Sequence, residues 1–291
     1  MVLLLEIPLE AEVTVMGYGP WPLPWSRPAA EDVAMTMQLD SDVMPAHRAW
    51  SGRAVVRLLW AIGSVFVVES LLLAFAILPA AVFYQWHLDW GLSPWWLRAV
   101  LLGAATVPAY LIFAHLLMFF SALACRVLGW RPKPDLTMPI AELGWPLLDW
   151  ARYSVVSHVV RLLVGSVLRA TPMWVWYLRL DGAHIGRRVW INSLGITDHP
   201  LLDLGTDVVI GAGVHLSGHT VERGAVRTAS IKLGRGTTIG VNAIVAIGVE
   251  TGANTQIGAL SFVPKLSRLD AATTYVGVPV HPIGNDSGPL Q

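Results

Sequence analysis

Two long apolar stretches dominate the first half of the chain, and a six-residue rhythm dominates the second half. From Val55 to Tyr84 and from Trp96 to Ala124 the sequence is almost continuously apolar. Each stretch exceeds the roughly 20 residues that a helix needs to cross the hydrocarbon core of a bilayer. We therefore predict a two-helix transmembrane hairpin over residues 51–130.

Basic residues flank the outer ends of this hairpin, whereas Arg98 alone lies near the short connection. The flanking residues are Arg48, Arg53, Arg57, Arg126, Arg131 and Lys133. Because positive charge collects on the cytoplasmic side of membrane proteins, both outer ends are expected there. The pattern predicts a multi-pass protein of the inner cell membrane, in contact with the lipid bilayer, whose second half is cytoplasmic.

The next stretch, residues 151–180, is apolar but interrupted by basic side chains. These are Arg152, His158, Arg161 and Arg169. The interruptions favour a helix lying in the membrane interface over a third span, with a buried soluble helix as the alternative. Thr171-Pro172 is expected to break it. Residues 131–180 are thus interpreted as a linker and an interfacial amphipathic helix.

Two ionisable residues, Glu69 and His115, fall inside the predicted spans, where such groups are costly. A protein-facing structural role is favoured for both, with a substrate or proton role as the alternative. Residues 1–50 form a poorly specified lead-in, in which Met1 to Met16 is expected to be a strand. Glu6, Glu10 and Glu12 interrupt its apolar run, which is atypical of a secretory signal. Residues 284–291 are assigned to a C-terminal tail.

Self-similarity at a period of six marks the second half of the chain. An apolar residue followed by a small one recurs at Ile185, Leu204, Ile210, Leu216, Leu233, Ile239, Val245 and Ile257, and Thr251 keeps the register. Regular turning explains this: each hexapeptide forms one short strand and a corner, and stacked coils bury the apolar residues in columns. We expect the small residue, usually glycine, to accommodate the dihedral angles of the corner. The pattern predicts a parallel β-helix over residues 181–283.

Composition narrows the classes of function. The chain is 54% hydrophobic and 14% charged, which is too apolar for a soluble domain alone. Lys plus Arg and Asp plus Glu both total 20, so no basic excess indicates nucleic acid. The single cysteine, Cys125, excludes an internal disulfide, and no Cys/His spacing suggests zinc, so no metal is expected. We interpret Cys125 as an inert buried thiol, with lipidation as the alternative.

The repeats resemble those of the hexapeptide acyltransferase family, and YVGVPVHPI at 275–283 is similar to that family's closing segment. The apolar pair, followed by RATPMWVWYLRLDGAHIGRRVWINS and ITDHPLLDLG, resembles the C-terminal region of poly-ε-lysine synthetase-type non-ribosomal peptide synthetases. This second resemblance covers roughly residues 50 to 283. It implies a membrane α-helical hairpin joined to an all-β left-handed parallel β-helix of hexapeptide repeats, with acyltransferase activity.

Two breaks in the rhythm are where a site is expected, because loops that leave a rigid scaffold carry most functional groups. Thr197 to Asp203 holds one residue too many, and Glu222 to Ser230 is an extruded loop. GVHLSGHTVERG enters the second break and resembles the segment that carries the general-base histidine of small hexapeptide acetyltransferases, which makes His219 the candidate base. Asp198 or Asp203 is expected to orient its imidazole, and no nucleophilic residue is required, since a thioester is already a good acyl donor.

The resemblance also implies a donor side and an acceptor side. Small residues of the last coils are expected to leave room for a phosphopantetheine arm: Gly240, Ala246, Gly248 and Gly258. Lys265 lies as in the family's closing Val-x-Lys segment and is expected to meet a phosphate. His215 and Arg223 are assigned to acceptor binding. His184 and His199 are interpreted as surface or capping residues, which is also the alternative for His215. A metal site made by His215 and His219 is disfavoured by their spacing.

Three functions follow from these features. The first is transfer of an acyl or aminoacyl group from a carrier-bound pantetheine thioester to an amine, with the carrier and adenylation protein supplied in trans. The second is a CoA-dependent O- or N-acetyltransferase that uses acyl-CoA and a small amine or hydroxyl acceptor. The third is a non-catalytic scaffold for a synthetase partner. The chain is expected to form a homotrimer or to pair with another β-helix.

Overall fold

A computed structural model describes residues 50–88 and 94–283 of the 291-residue chain. The strand predicted for Met1 to Met16 and the C-terminal tail lie outside the described residues. Everything described belongs to one compact unit, so the helices and the β-helix can be placed relative to each other.

The two predicted apolar stretches form helices that pack side by side. Helix α1 spans Gly52–Leu88 and α2 spans Trp95–Val127, each a few residues longer than the apolar run. Phe75 and Phe120 meet between them with ring centroids 5.8 Å apart. Many large apolar side chains of both helices remain exposed, which a water-facing bundle would not tolerate. By length and composition, both helices can cross a membrane.

The third apolar stretch forms helix α3, Trp145–Val160, which continues through a π-helical turn, Arg161–Gly165, into Ser166–Leu168. This stretch, Trp145–Leu168, is also long and apolar enough to span a membrane, although it is buried more deeply in the protein than α1 or α2. Helix α4, Pro172–Leu180, follows. Thr171 caps α4 by accepting a hydrogen bond from Trp174 N, which confirms the predicted break at Thr171-Pro172.

Arg152 changes the interpretation of α3. The sequence favours an interfacial helix partly because this cation interrupts the apolar run, but its side chain is buried. The guanidinium carbon lies 5.0 Å from the Trp130 ring and 5.1 Å from the Trp145 ring, and Nη1 is 3.2 Å from Asp149 Oδ1. The charge is therefore compensated by cation–π contacts and a carboxylate inside the protein, and it does not reach for lipid headgroups.

Within the described helices, Glu69 and His115 share no hydrogen bond or ion pair. His115 Nδ1 lies 2.6 Å from Leu111 O, and its ring centroid is 6.3 Å from that of Trp176 on α4. Glu69 Oε1 is buried without a hydrogen-bond partner among the described residues. The contacts of His115 are those of a histidine packed against protein, as its structural interpretation expects.

Residues 184–283 coil into the left-handed parallel β-helix with three sheet faces. The first face contains β2 His184–Ile185, β4 Leu202–Leu204, β9 Ile231–Leu233, β12 Glu250–Thr251 and β15 Arg268–Leu269. The second contains β3 Trp190–Ile191, β5 Val209–Ile210, β10 Thr238–Ile239, β13 Gln256–Ile257, β16 Thr274–Val276 and β17 His281–Ile283. The third contains β6 His215–Leu216, β11 Ile244–Val245 and β14 Phe262–Val263, extended by a bridge at Ile196.

The register of these strands stacks the repeated apolar residues, as predicted. Ile191, Ile210, Ile239, Ile257 and Tyr275 pair in succession along the second face, and Ile196, Leu216, Val245 and Val263 along the third. All of these side chains are buried. Burying apolar surface at about 25 cal/mol per Å² makes the columns the main source of stability of the β-helix.

The small residue after each column residue has a different role from the one we expected. Gly240 and its equivalents do not adopt left-handed backbone angles; those fall two positions later, as at Asn242, whose φ is 55°. A Cβ at Gly240 would instead run into the backbone of the next coil, at Gly258 C and Ala259 N. Glycine is needed there because the stacked backbones approach too closely for a side chain.

Both breaks in the rhythm are present as predicted. At the first, Asp198 adopts a left-handed conformation with φ 52° and a 3-10 turn, His199–Leu201, follows. At the second, β7 His219–Glu222 and β8 Ala225–Thr228 form an antiparallel hairpin, and β1 Thr137–Pro139 adds a third strand. Arg223 and Gly224 form its two-residue turn, both with positive φ.

A salt bridge ties the tip of this hairpin to the β-helix. Lys265 Nζ lies 2.6 Å from Glu222 Oε2. The hydrogen bond from Lys265 lowers the pKa of Glu222, against the opposing effect of partial burial. The hairpin is thus fastened across the third face to a later coil.

Replacing Gly240 by alanine should destabilise the β-helix by roughly 1–3 kcal/mol, because the new methyl group would overlap the next coil. Thermal unfolding followed by circular dichroism measures the loss. Gly144→Ala is the matched control, since its Cβ would meet no atom closer than Pro146 Cδ at 3.7 Å. An unchanged melting temperature for Gly240→Ala, combined with weakened donor binding, would contradict the packing role.

Lys265→Met should lower the hydrogen-exchange protection of the hairpin amides at neutral pH. Because the folded pKa of Glu222 is depressed, the salt bridge contributes above its ordinary pKa and is lost as pH falls through the lowered value. The wild type and the variant should therefore converge in strong acid. Lys232→Met removes a comparable pair with Glu250 on the first face and should leave the hairpin unchanged. Equal protection of the wild type and Lys265→Met at neutral pH would refute the anchoring role.

Candidate functional site

Asp198, in the first break, is a buried carboxylate surrounded by hydrogen-bond donors. Its side chain is 1% exposed. Oδ1 accepts from Trp150 Nε1 at 2.9 Å, and Oδ2 accepts from Thr197 Oγ1 at 3.0 Å and lies 2.5 Å from His219 Nδ1. Burial alone would raise the pKa of Asp198, but these donors outweigh it and the pKa is lowered. The carboxylate is therefore held in its charged form.

His219, the candidate base, begins strand β7 and faces Asp198 through Nδ1. Ser217 Oγ lies 3.1 Å from the same nitrogen and donates to His219 O at 2.9 Å. With a hydrogen on Nδ1 pointing at the carboxylate, Nε2 carries the lone pair. The side chain is 26% exposed. The arrangement is that of a histidine oriented by a carboxylate for proton transfer.

Trp150 on α3 closes one side of this pair. Besides its bond to Asp198, its ring packs edge-on against His219, with centroids 4.8 Å apart. The indole is half-buried, and its contact limits the rotation of the imidazole. The site thus combines a residue of a helix with two residues of the β-helix.

A second buried network lies directly behind the first. His199 Nδ1 is 2.7 Å from Asp181 Oδ2, which also accepts from Tyr153 Oη at 2.6 Å. His199 N donates to Tyr153 Oη at 3.1 Å. His199 is 3% exposed, so its interpretation as a surface histidine is wrong. The extra residue of the first break turns it inward.

His215 lies on the third face, and Arg161 lies in the π-helical turn that follows α3. His215 is in register with Ile244, and its side chain points outward. Burial, followed by the charges of His219 and Arg161, lowers the pKa of His215. Arg161 donates to His158 Nδ1 at 3.0 Å. The role of His215 in acceptor binding stays a prediction.

Asp203 stands away from the candidate base. It lies in β4 on the first face, exposed, in register with His184 and Lys232. Of the two carboxylates predicted to orient His219, Asp198 is the one that contacts it among the described residues. Arg223 is exposed at the hairpin tip, and its acceptor-binding role stays a prediction.

The residues predicted to bind the donor lie in the coils that follow the hairpin. A Cβ at Gly258 would meet Val276 Cγ1 at 2.7 Å, and Gly248 has φ 70°, so both glycines are explained by the packing of the coils. Ala246 is half-buried beside them. Lys265 is held by Glu222, which a phosphate would have to displace. A role of these residues in holding a pantetheine arm stays a prediction.

Sequence reasoning missed Trp150, Tyr153 and Asp181. The sequence did contain a signal for Trp150 and Tyr153, because two aromatic side chains three residues apart lie on the same face of a helix. Nothing in the sequence showed that this face would meet the first break of the β-helix. Asp181 follows α4 immediately, where an acidic residue alone carries no such signal.

Comparison with known proteins gives distant similarities. No protein-family model matches the chain. A curated relative, the delta-poly-L-ornithine synthetase of Acinetobacter baumannii (strain AB307-0294), is 21% identical over 141 residues. The match spans 47% of this chain but only 11% of the synthetase.

Solved structures with a similar fold are acetyltransferases. A hexapeptide-repeat-containing acetyltransferase from Vibrio cholerae is 16% identical, with 45% of this chain and 89% of that chain covered and a TM-score of 0.37. A serine acetyltransferase from Neisseria gonorrhoeae is 21% identical, with 49% and 58% covered and a TM-score of 0.29. The β-helix assignment therefore rests on the strand register described above, and these names agree with the resemblance to hexapeptide-repeat acyltransferases.

Proposed function

We propose that the chain is an acyltransferase in which His219 is the general base. The observation that carries this proposal is the contact of His219 Nδ1 with the buried, triply hydrogen-bonded carboxylate of Asp198. Such a carboxylate fixes the tautomer of the ring and stabilises the imidazolium that forms during proton transfer. Nε2, the ring nitrogen that does not face Asp198, is then the one that receives the proton.

The chemistry fits transfer from a thioester. His219 Nε2 removes a proton from an acceptor amine or hydroxyl as that group attacks the thioester carbonyl. The new C–N or C–O bond forms, the C–S bond breaks, and the imidazolium returns the proton to the departing thiolate. Since the thiol is a good leaving group, no covalent enzyme intermediate is required.

The donor is a pantetheine thioester, with two forms to distinguish. The sequence similarity to a poly-ornithine synthetase supports an aminoacyl group on a carrier protein, transferred to an amine. A complex of the Vibrio cholerae acetyltransferase with acetyl-coenzyme A supports the alternative of a CoA-dependent O- or N-acetyltransferase. Both donors end in the same arm, so residues beside His219 would serve either one.

The proposed location is the inner membrane, with the site on the cytoplasmic face. Among the described residues, α1 and α2 are long and apolar enough to span a bilayer, and their basic flanks orient the outer ends inward. In this arrangement a carrier protein or acyl-CoA reaches the site from the cytoplasm. The assembly is proposed to be a homotrimer or a pair with another β-helix, which mass measurement of the purified protein distinguishes.

His219→Ala should lower acceptor-dependent thiol release by at least about a hundredfold, the usual contribution of a general base. Asp198→Asn should also be impaired, because the amide lacks the charge that favours the imidazolium. Turnover is measured with acetyl-CoA and aminoacyl-carrier donors against a panel of amines and hydroxyls. His184→Ala, an exposed histidine of the first face, is the control and should retain full activity. Undiminished turnover in His219→Ala would refute the proposal.

Donor preference separates the remaining functions. We expect a higher kcat/KM with an aminoacyl carrier protein than with acetyl-CoA, measured by loss of the thioester under identical acceptor conditions. The reverse order would assign the protein to CoA-dependent acetyl transfer. Absence of turnover with either donor across the acceptor panel, for a folded wild-type protein, would instead support a non-catalytic scaffold.

A further inference from the structure

Asp198 and His199 are neighbours in the sequence, but their side chains belong to two different hydrogen-bond networks. Asp198 points toward His219, whereas His199 points toward Asp181. The backbone of Asp198 is left-handed, with φ 52°, a conformation that residues other than glycine seldom adopt. Contacts from the surroundings must therefore hold this turn in place.

Those contacts come from behind the turn. Tyr153 Oη accepts from His199 N at 3.1 Å and donates to Asp181 Oδ2 at 2.6 Å. The ring of His199 lies between Asp181 Oδ2 at 2.7 Å and Ile196 O at 3.2 Å. Tyr153 and Asp181 are each 1% exposed. A fully buried phenol and carboxylate thus fix both the backbone and the side chain of the residue that follows Asp198.

Helix α3 reaches both sides of this turn. Trp150 donates directly to Asp198, and Tyr153, three residues later on the same helical face, holds His199. The carboxylate of Asp198 is therefore oriented by one helix through two independent contacts. Asp181 completes the second contact from the residue that ends α4.

We propose that Tyr153 and Asp181 are positioning residues that act on the reaction through Asp198, so that the site is complete only when α3 is seated on the β-helix. The proposal rests on the proposed function, in that His219 is taken to be the base. Neither residue touches the acceptor or donor. Their effect is to keep Asp198 Oδ2 within hydrogen-bond distance of His219 Nδ1.

A double-mutant cycle with Tyr153→Phe and Asp198→Asn tests this role. Tyr153→Phe removes one hydroxyl and should lower kcat about tenfold, the scale of one buried hydrogen bond, with the donor KM unchanged. In a protein that already carries Asp198→Asn, Tyr153→Phe should not lower kcat further. The effects of substitutions at residues that act as a unit are not additive. A purely structural role would lower activity equally in both backgrounds.

Tyr275→Phe is the matched control. Its hydroxyl is also buried and bonds twice, to Asp270 N at 3.1 Å and Asp270 Oδ2 at 3.3 Å, but it lies in the last coil, away from the site. This variant should keep kcat within about twofold of the wild type, as expected for an uncoupled position. If Tyr153→Phe does not fold by circular dichroism, Asp181→Asn, which keeps the size of the side chain and removes its charge, enters the same cycle.

The outcomes separate this proposal from the proposed function. Equal losses from Tyr153→Phe in both backgrounds, a loss in KM alone, or an unchanged kcat would each overturn the positioning role. Full activity of His219→Ala would overturn the proposed function instead, whatever the cycle shows. A kcat loss that disappears in Asp198→Asn, beside an inactive His219→Ala, supports both.

Discussion

Two buried carboxylates, Asp181 and Asp198, join the helical part of the chain to the β-helix, and the candidate site depends on that junction. Each accepts a hydrogen bond from an aromatic side chain of α3, Tyr153 and Trp150 respectively, and each contacts a histidine of the first or second coil. Burying a carboxylate is costly unless donors surround it, and here the donors come from both parts of the molecule. Separating the parts would take at least one buried hydrogen-bond partner from each carboxylate, so the helices and the β-helix stabilise each other.

The position of the site follows from how a coil of hexapeptides accepts extra residues. The columns of buried side chains and the close approach of stacked backbones leave no freedom along the faces, as Gly240 illustrates. Extra residues can therefore extend from the β-helix only at its corners, between two faces. The two breaks occur at the same corner, after the third face, in successive coils. For this reason Asp198 and His219, which are 21 residues apart in sequence, come into contact.

The sequence predicted the repeat, the faces, both breaks and the two long helices, because each depends on a local pattern of apolar and small residues. It also singled out His219 and Asp198, whose positions follow from the breaks. It could not choose between Asp198 and Asp203, since that choice depends on the left-handed turn that directs one carboxylate inward. The contribution of α3 was missed because its apolar face is equally suited to lipid and to protein. Arg152 shows the same ambiguity, since a cation in an apolar helix can be satisfied by tryptophans.

The antiparallel strand β17 has a consequence for self-association. The second face would otherwise end at β16 with an unpaired parallel edge, onto which the first coil of another molecule could add. Because β17 reverses direction and pairs with β16, it occupies these backbone groups. At the other end, α4 packs against β2 and β3. Stacked β-helices are prone to polymerise end to end into fibres, and these two elements act as terminators that oppose such growth, so that any assembly would use the sides of the coil.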